Sequence, residues 1–177
     1  VDTPCKTCDG KGKIRRQKTI EISVPAGIDD DQILNVGGKG NAGSNGGPNG
    51  DLHVYITVRP HAIFTRRGND VWCDMPITFT QAALGAEVTV PTLDGKVSYT
   101  VHEGTQPGDV FKLKGKGIQS INGRGRGDQY VRVTVEVPKN LSKRQKELLQ
   151  EFEQNADEKN YQKRKSFFGK IKDLFED

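Results

Sequence analysis

Much that would specialise this chain is missing from it. No apolar run approaches the roughly 18 residues of a membrane span, and no signal-peptide pattern opens the sequence, so it speaks for neither membrane insertion nor secretion. Cysteine is scarce: three residues, an odd number, with Cys5 and Cys8 in a Cys-x-x-Cys spacing. That is no disulfide framework, and a reducing cytoplasm is the expected compartment. Aromatic residues make up 7% of the chain, and no strand-like stretch carries the paired stacking aromatics of RNA-reading modules. A net charge of +4 is mild for a nucleic-acid binder. Catalytic groupings are absent as well. The glycines of Gly37–Gly43 are not followed by the Gly-Lys-Ser/Thr of a phosphate-binding loop. His53, His61 and His102 each lack a cysteine or acid at a spacing that suits a nucleophile or metal pair. Nothing reads as an enzyme.

Glycine, by contrast, is abundant at 21 residues, and it is ordered. Residues 19–58 moved forward by 77 positions fall on 96–135 without a gap, and twelve of the forty pairs are identical. They include Gly27/Gly104, Gly38/Gly115, Lys39/Lys116, Gly40/Gly117, Gly50/Gly127, Asp51/Asp128 and Val54/Val131. These are turn and core residues, so the repeat specifies a fold.

Apolar residues alternate over Lys18–Val24, Leu52–Val58, Val71–Ile77, Val97–Val101 and Val131–Val137, the period of half-buried antiparallel strands. Turn residues separate them: Pro25-Ala26-Gly27, Asp94-Gly95 after Val88–Thr92, and Pro107-Gly108. Thr80–Leu84 predicts a helical turn closed by Gly85. Beyond Pro138 the composition changes. Ser142 and Gln145 form a capping box ahead of Leu148, Leu149 and Phe152. Residues 155–165 read as a solvated linker. Phe167, Phe168, Ile171, Leu174 and Phe175 then define an amphipathic helix over Ser166–Asp177, too short to be stable unless it packs on something. The second repeat has a lead-in, His61–Gly95, whose first-repeat counterpart is mostly missing, so the chain is expected to be a C-terminal piece of a longer protein.

Cys5-Lys6-Thr7-Cys8-Asp9-Gly10-Lys11-Gly12 resembles one CxxCxGxG repeat of the cysteine-rich region of bacterial DnaJ-type co-chaperones. KTIEISVPAGIDDDQI, GDLHVYITVRPHAIFTRRGND, VPTLDGKVSYTV and the closing KSFFGKIKDLF extend the resemblance over nearly the whole chain. It implies a mainly β protein: two tandem antiparallel β-sandwich domains of the same type, then a helical C-terminal dimerisation segment. The implied division is 1–17 (remnant of the cysteine-rich region), 18–60 (first repeat, incomplete at its N-terminal side), 61–138 (second repeat) and 139–177 (dimerisation). The implied function is binding of exposed apolar segments of unfolded polypeptides and delivery to a DnaK-type ATPase chaperone, with a homodimer formed through Phe167, Phe168, Ile171, Leu174 and Phe175.

Two features depart from the full family pattern. There is no His-Pro-Asp, hence no J-domain and no expected ATPase stimulation, and only one of four cysteine repeats is present. The resemblance makes Cys5 and Cys8 zinc ligands in the full-length protein. Two thiolates cannot close a four-ligand site here, so zinc is not expected in this chain.

Peptide binding needs an open strand edge and an apolar pocket beside it. Ile20, Ile22, Ile33, Leu34, Ile56 and Phe64 are the candidate walls in the first repeat, with Ile20–Val24 near the open edge. The bland reading is that most of these are ordinary core residues; Phe64, in the polar loop HAIFTRRGND, is the exception. Val97, Tyr99, Val110, Phe111 and Val133 are the second-repeat equivalents. The rival reading is a nucleic-acid-binding β-domain using the basic loops Lys112–Gly117 and Gly123–Arg126; their bland reading is a solvated turn.

Overall fold

The computed structural model describes residues 5–8, 12, 14–44, 46–123 and 125–175, without the side chains of 172–174. Asp9, Gly10 and Lys11 of the cysteine motif, Arg124 of the second basic loop and the Leu174 side chain lie outside the described residues. The chain is mainly β with a helical C-terminal part, as its periodicities predict.

The first unit is a strand pair. β1 (Ile33–Val36) runs antiparallel to β2 (Leu52–Tyr55), with Ile33 opposite Tyr55 and Val36 opposite Leu52. Leu34, Val36, Leu52 and Val54 share one half-buried face. Among the described residues, no side chain before Val71 is fully buried.

The second unit is a sandwich. β3 (Thr65–Arg67) and β4 (Asp70–Thr78) form a hairpin; α1 (Phe79–Leu84) follows; β5 (Ala86–Thr92) and β6 (Gly95–Val101) form a second hairpin; β7 (Val110–Leu113) and β8 (Gln129–Glu136) complete it. One sheet has the order β3-β4-β8-β7 and faces the β5-β6 pair. Between them lie Cys73, Met75 and Ile77 of β4, Val131 and Val133 of β8, Val90, Val101 and Ala82. Val90, Val131 and Val133 are almost wholly buried, and each such side chain contributes about 1.5–3 kcal/mol. Gln129 is buried as well, its Nε2 donating to the Pro91 carbonyl at 2.8 Å and so tying β8 to β5. Thr78 and Gln81 form a capping box at the start of α1, and Gly85 ends it at φ 76°.

The repeat recurs bond for bond. Val110 faces Arg132 and Leu113 faces Gln129, the register of β1/β2 shifted by 77 positions. The Gly40 amide donates to the Gly50 carbonyl at 2.7 Å, and Gly117 to Gly127 at 2.8 Å.

Three sequence expectations change. Lys18–Val24 forms no strand, although Ile20 and Ile22 are half-buried between exposed neighbours. Its equivalent, β6, finds every ladder partner on β5. The positions equivalent to β5 are 9–15, DGKGKIR, which have no alternation and two glycines. A strand without a partner leaves its backbone groups unpaired. Second, β4 and β8 pair in parallel; a period of two sets which face is buried but not strand direction. Third, residues 155–165 are only partly linker: a 3-10 turn spans Glu158–Asn160, and α3 (Gln162–Phe175) starts four residues ahead of the expected Ser166. α2 (Lys143–Asn155) has the expected Ser142/Gln145 capping box.

Candidate functional site

A cleft of about 270 Å³ opens between β6 and β7, lined by Tyr99, Val101, His102, Thr105, Asp109, Val110, Phe111 and Val133. Among the described residues β7 is the last strand of its sheet and β6 pairs only with β5, so each presents an open edge. Tyr99 and Phe111 stack across the cleft, centroids 3.7 Å apart and planes 6° from parallel. Two polar groups at its rim have local partners. Asp109 Oδ2 accepts the Gln106 amide at 2.8 Å, and the Thr105 hydroxyl donates to the His102 carbonyl at 2.6 Å. An apolar floor between two edges with free backbone donors and acceptors suits an extended segment carrying an apolar side chain.

Moved back by 77 positions, Tyr99, Val110, Phe111 and Val133 become Ile22, Ile33, Leu34 and Ile56, four of the six first-repeat candidates. Ile33 stands on β1, half exposed as Val110 is, and Leu34 and Ile56 are half-buried beside it. Ile20 and Ile22 lie on the segment without a strand. Phe64 belongs elsewhere: it packs against the core of the second unit and stacks on His61 at 5.0 Å.

Three of the basic loop residues are held in ion pairs. Arg126 is bidentate to Asp94 with both contacts at 2.8 Å, Lys116 lies 3.5 Å from the same carboxylate, and Lys112 is 3.0 Å from Asp128. The Arg126 guanidinium holds the Asp94 carboxyl below its usual range. The sequence reading missed one aromatic pair: Trp72 and Tyr130, on adjacent strands, stack at 4.8 Å. Arg67 lies over Trp72 and Lys112 over Tyr130, and the strand order puts these cations on opposite sides of the pair. The ring faces that a base would need are therefore taken.

Cys5 and Cys8 sit in one turn, the Cys8 amide donating to the Cys5 carbonyl at 3.2 Å. The Thr7 amide, then the Cys8 side chain, lowers the Cys5 thiol pKa. Cys73 is buried in the core of the second unit, and burial pushes its thiol up. Among the described residues no three His, Cys, Asp or Glu side chains converge. The residues present do not fit a closed zinc site, since two thiolates are half of what one needs.

At the C-terminus, Phe167, Phe168 and Phe175 are exposed, Phe175 at 84%, and Ile171 is half-buried. On α2, Leu148, Leu149 and Phe152 are also exposed, with Phe152 edge-on to Phe79 at 6.0 Å. Exposed apolar side chains therefore line both α2 and α3. No helix among the described residues is long and apolar enough to cross a membrane.

Comparison with known proteins gives consistent matches. The profile of the family described as DnaJ C terminal domain matches residues 5–138, and that of the Chaperone protein DnaJ C-terminal region matches 144–177. Proteins named Chaperone protein DnaJ are similar to the chain. That of Ruminiclostridium cellulolyticum is 58% identical over 97% of this chain and 49% of its own length. The Acetivibrio thermocellus protein is 53% identical over 98% and 45%, and that of Clostridioides difficile 55% over 91% and 42%. The chain thus spans about half the length of the curated relatives it matches.

Proposed function

For this chain, which belongs to the DnaJ C terminal domain family, we propose a co-chaperone role: binding exposed apolar segments of non-native polypeptides and passing them to a DnaK-type ATPase chaperone. The observation that carries the reading is the apolar cleft between the open edges of β6 and β7; the reading extends it to the first unit, where Ile33, Leu34 and Ile56 occupy the same repeat positions beside the β1 edge. Binding adds a strand to an edge, and the cleft takes an apolar side chain. The chain itself performs no catalysis and works in the cytoplasm. It divides into 1–17, 18–60, 61–138 and 139–177, the last forming a homodimer through Phe167, Phe168, Ile171, Leu174 and Phe175. In the whole protein, Cys5 and Cys8 join further cysteines in holding zinc.

The magnitudes describe a weak binder. An apolar anchor contributes roughly 1.5–3 kcal/mol, each backbone hydrogen bond about 0.5–1.5, and ordering a flexible peptide opposes both. Micromolar affinity, about −8 kcal/mol, is the expected scale, and weak binding allows the cargo to be handed on.

Fluorescence anisotropy of a labelled unstructured peptide rich in Leu and Phe tests this at low and high salt. Ile33 and Val110 are 50% and 45% exposed, so Ile33→Glu and Val110→Glu change the clefts without entering a core. Saturable binding that survives salt and weakens in both variants is the expected result. Binding that vanishes with salt and ignores both variants would refute the reading.

A further inference from the structure

The two repeated units meet around the Pro25–Ile28 turn, and one side chain binds it most closely. Arg66, on β3 of the second unit, sends its guanidinium to the Pro25–Ile28 turn of the first. Nη1 donates to the Ile28 carbonyl at 2.6 Å and Nη2 to the Gly27 carbonyl at 2.9 Å, while Nε holds the Gly68 carbonyl of its own hairpin at 2.8 Å. The Asp29 carboxylate stands 3.5 Å from Nη1. A rigid planar fork can hold two successive carbonyls in this way; a lysine ammonium cannot hold the same geometry. The second unit also closes on the turn from the 118–121 loop. Gly27 has φ +86°, and a side chain there would run into the Gln119 carbonyl.

The equivalent turn of the second unit, His102–Thr105, has the same hydrogen bond and a similar positive φ, at Gly104. Its Gly104 carbonyl is satisfied locally, by Gln106 Nε2 at 3.0 Å, and a side chain at Gly104 would meet nothing within 4 Å. The turn alone does not create a joint; Arg66 and the Gln119 backbone do.

We propose that Arg66 is a positioning residue that locks the two units into one rigid body and so fixes the distance between their clefts. Linked units move relative to one another unless a large interface holds them, and here a few contacts around one guanidinium carry the connection. The functional consequence rests on the two-cleft reading above. A polypeptide long enough to reach both clefts gains avidity from a fixed, matched spacing, whereas a short peptide occupying one cleft does not.

Backbone ¹⁵N relaxation of the whole chain, combined with titration of a one-segment and a two-segment apolar peptide, tests the lock. The parent chain is expected to show one rotational correlation time for both units. Arg66→Ala loses that shared value, and its long-to-short affinity ratio falls by about tenfold or more. Arg66→Lys, which keeps the charge without the fork, lies between. Gly27→Ala attacks the same joint from the first unit and reproduces the Arg66→Ala result, with the amide shifts of Val71 and Val131 unchanged as the sign that the second unit is folded. A shared correlation time retained in Arg66→Ala, or an unchanged long-to-short ratio, overturns the proposal. If the correlation times separate while neither peptide binds the parent, the lock stands and the cleft reading fails.

Discussion

Asp128 Oδ1 accepts the backbone amide of Gly115 at 2.7 Å, and the repeat makes the same bond from Gly38 to Asp51 at 2.9 Å. Each glycine has positive φ, 67° and 64°. The Gly-Asp pairs that mark the repeat in sequence are therefore the ties that close its glycine-rich loops onto its strand pairs.

Those ties make stability depend on acid. The Gly115 amide, with Lys112 beside it, holds the Asp128 carboxyl below its usual pKa, and the Gly38 amide does the same for Asp51. A carboxyl with a depressed folded-state pKa stabilises the fold above its ordinary value of about 3.9, and that contribution is lost as pH falls through the folded-state pKa. Urea midpoints followed from neutral pH downward should fall more steeply below about pH 4 in the parent chain than in Asp128→Asn. Parallel curves would show that the carboxylate is not what closes the loop.

Two glycines separate backbone strain from steric exclusion. At Gly104 a side chain meets nothing within 4 Å, so Gly104→Ala carries only the positive-φ penalty, about 1–2 kcal/mol. At Gly127 an added Cβ runs into the Asn69 carbonyl. Gly127→Ala is expected to destabilise more than Gly104→Ala in chemical denaturation, and equal losses would contradict the close approach of the chain just before β8 to the β3–β4 turn.

The thiols should react in a fixed order. Cys5 is exposed with a lowered pKa, whereas Cys73 is buried with a raised one. Limiting iodoacetamide followed by peptide mass mapping should label Cys5 well before Cys73. Comparable labelling of Cys73 in the native state would mean that the core opens readily.

The helical tail is predicted to need a second copy. Phe167→Ser with Phe175→Ser leaves the buried core untouched, because both side chains are exposed. Sedimentation velocity should show a dimer for the parent chain and a monomer for the double variant; a parent that sediments as a monomer contradicts the assignment.

How far the sequence could be read depended on what each pattern encodes. Gly27, Gly38 and Asp51 were legible because a turn that needs positive φ, or a carboxylate that must reach an amide, restricts residue type, and both copies kept the same solution. Alternation over Lys18–Val24 was misleading because it reports an apolar face and says nothing of a partner strand. Parallel pairing of β4 with β8 was hidden for a similar reason. Phe64 looked like an exposed anchor because its neighbours are polar, yet the chain turns it onto the core of the second unit. Arg66 gave no signal at all: its partners are backbone carbonyls 38 and 39 residues away, which no side-chain pattern records.

The central claim is that the β6–β7 cleft, and the β1 edge at the repeat-equivalent positions, hold extended apolar segments. The most direct measurement is titration of an unlabelled Leu- and Phe-rich peptide into ¹⁵N-labelled protein, followed by amide shift changes along the chain. The account predicts the largest changes along β7, the facing edge of β6 and β1, from Val110, Phe111, Tyr99, Ile33 and Leu34. Changes confined to the Lys114–Gly127 loop or to α2 and α3 would contradict it.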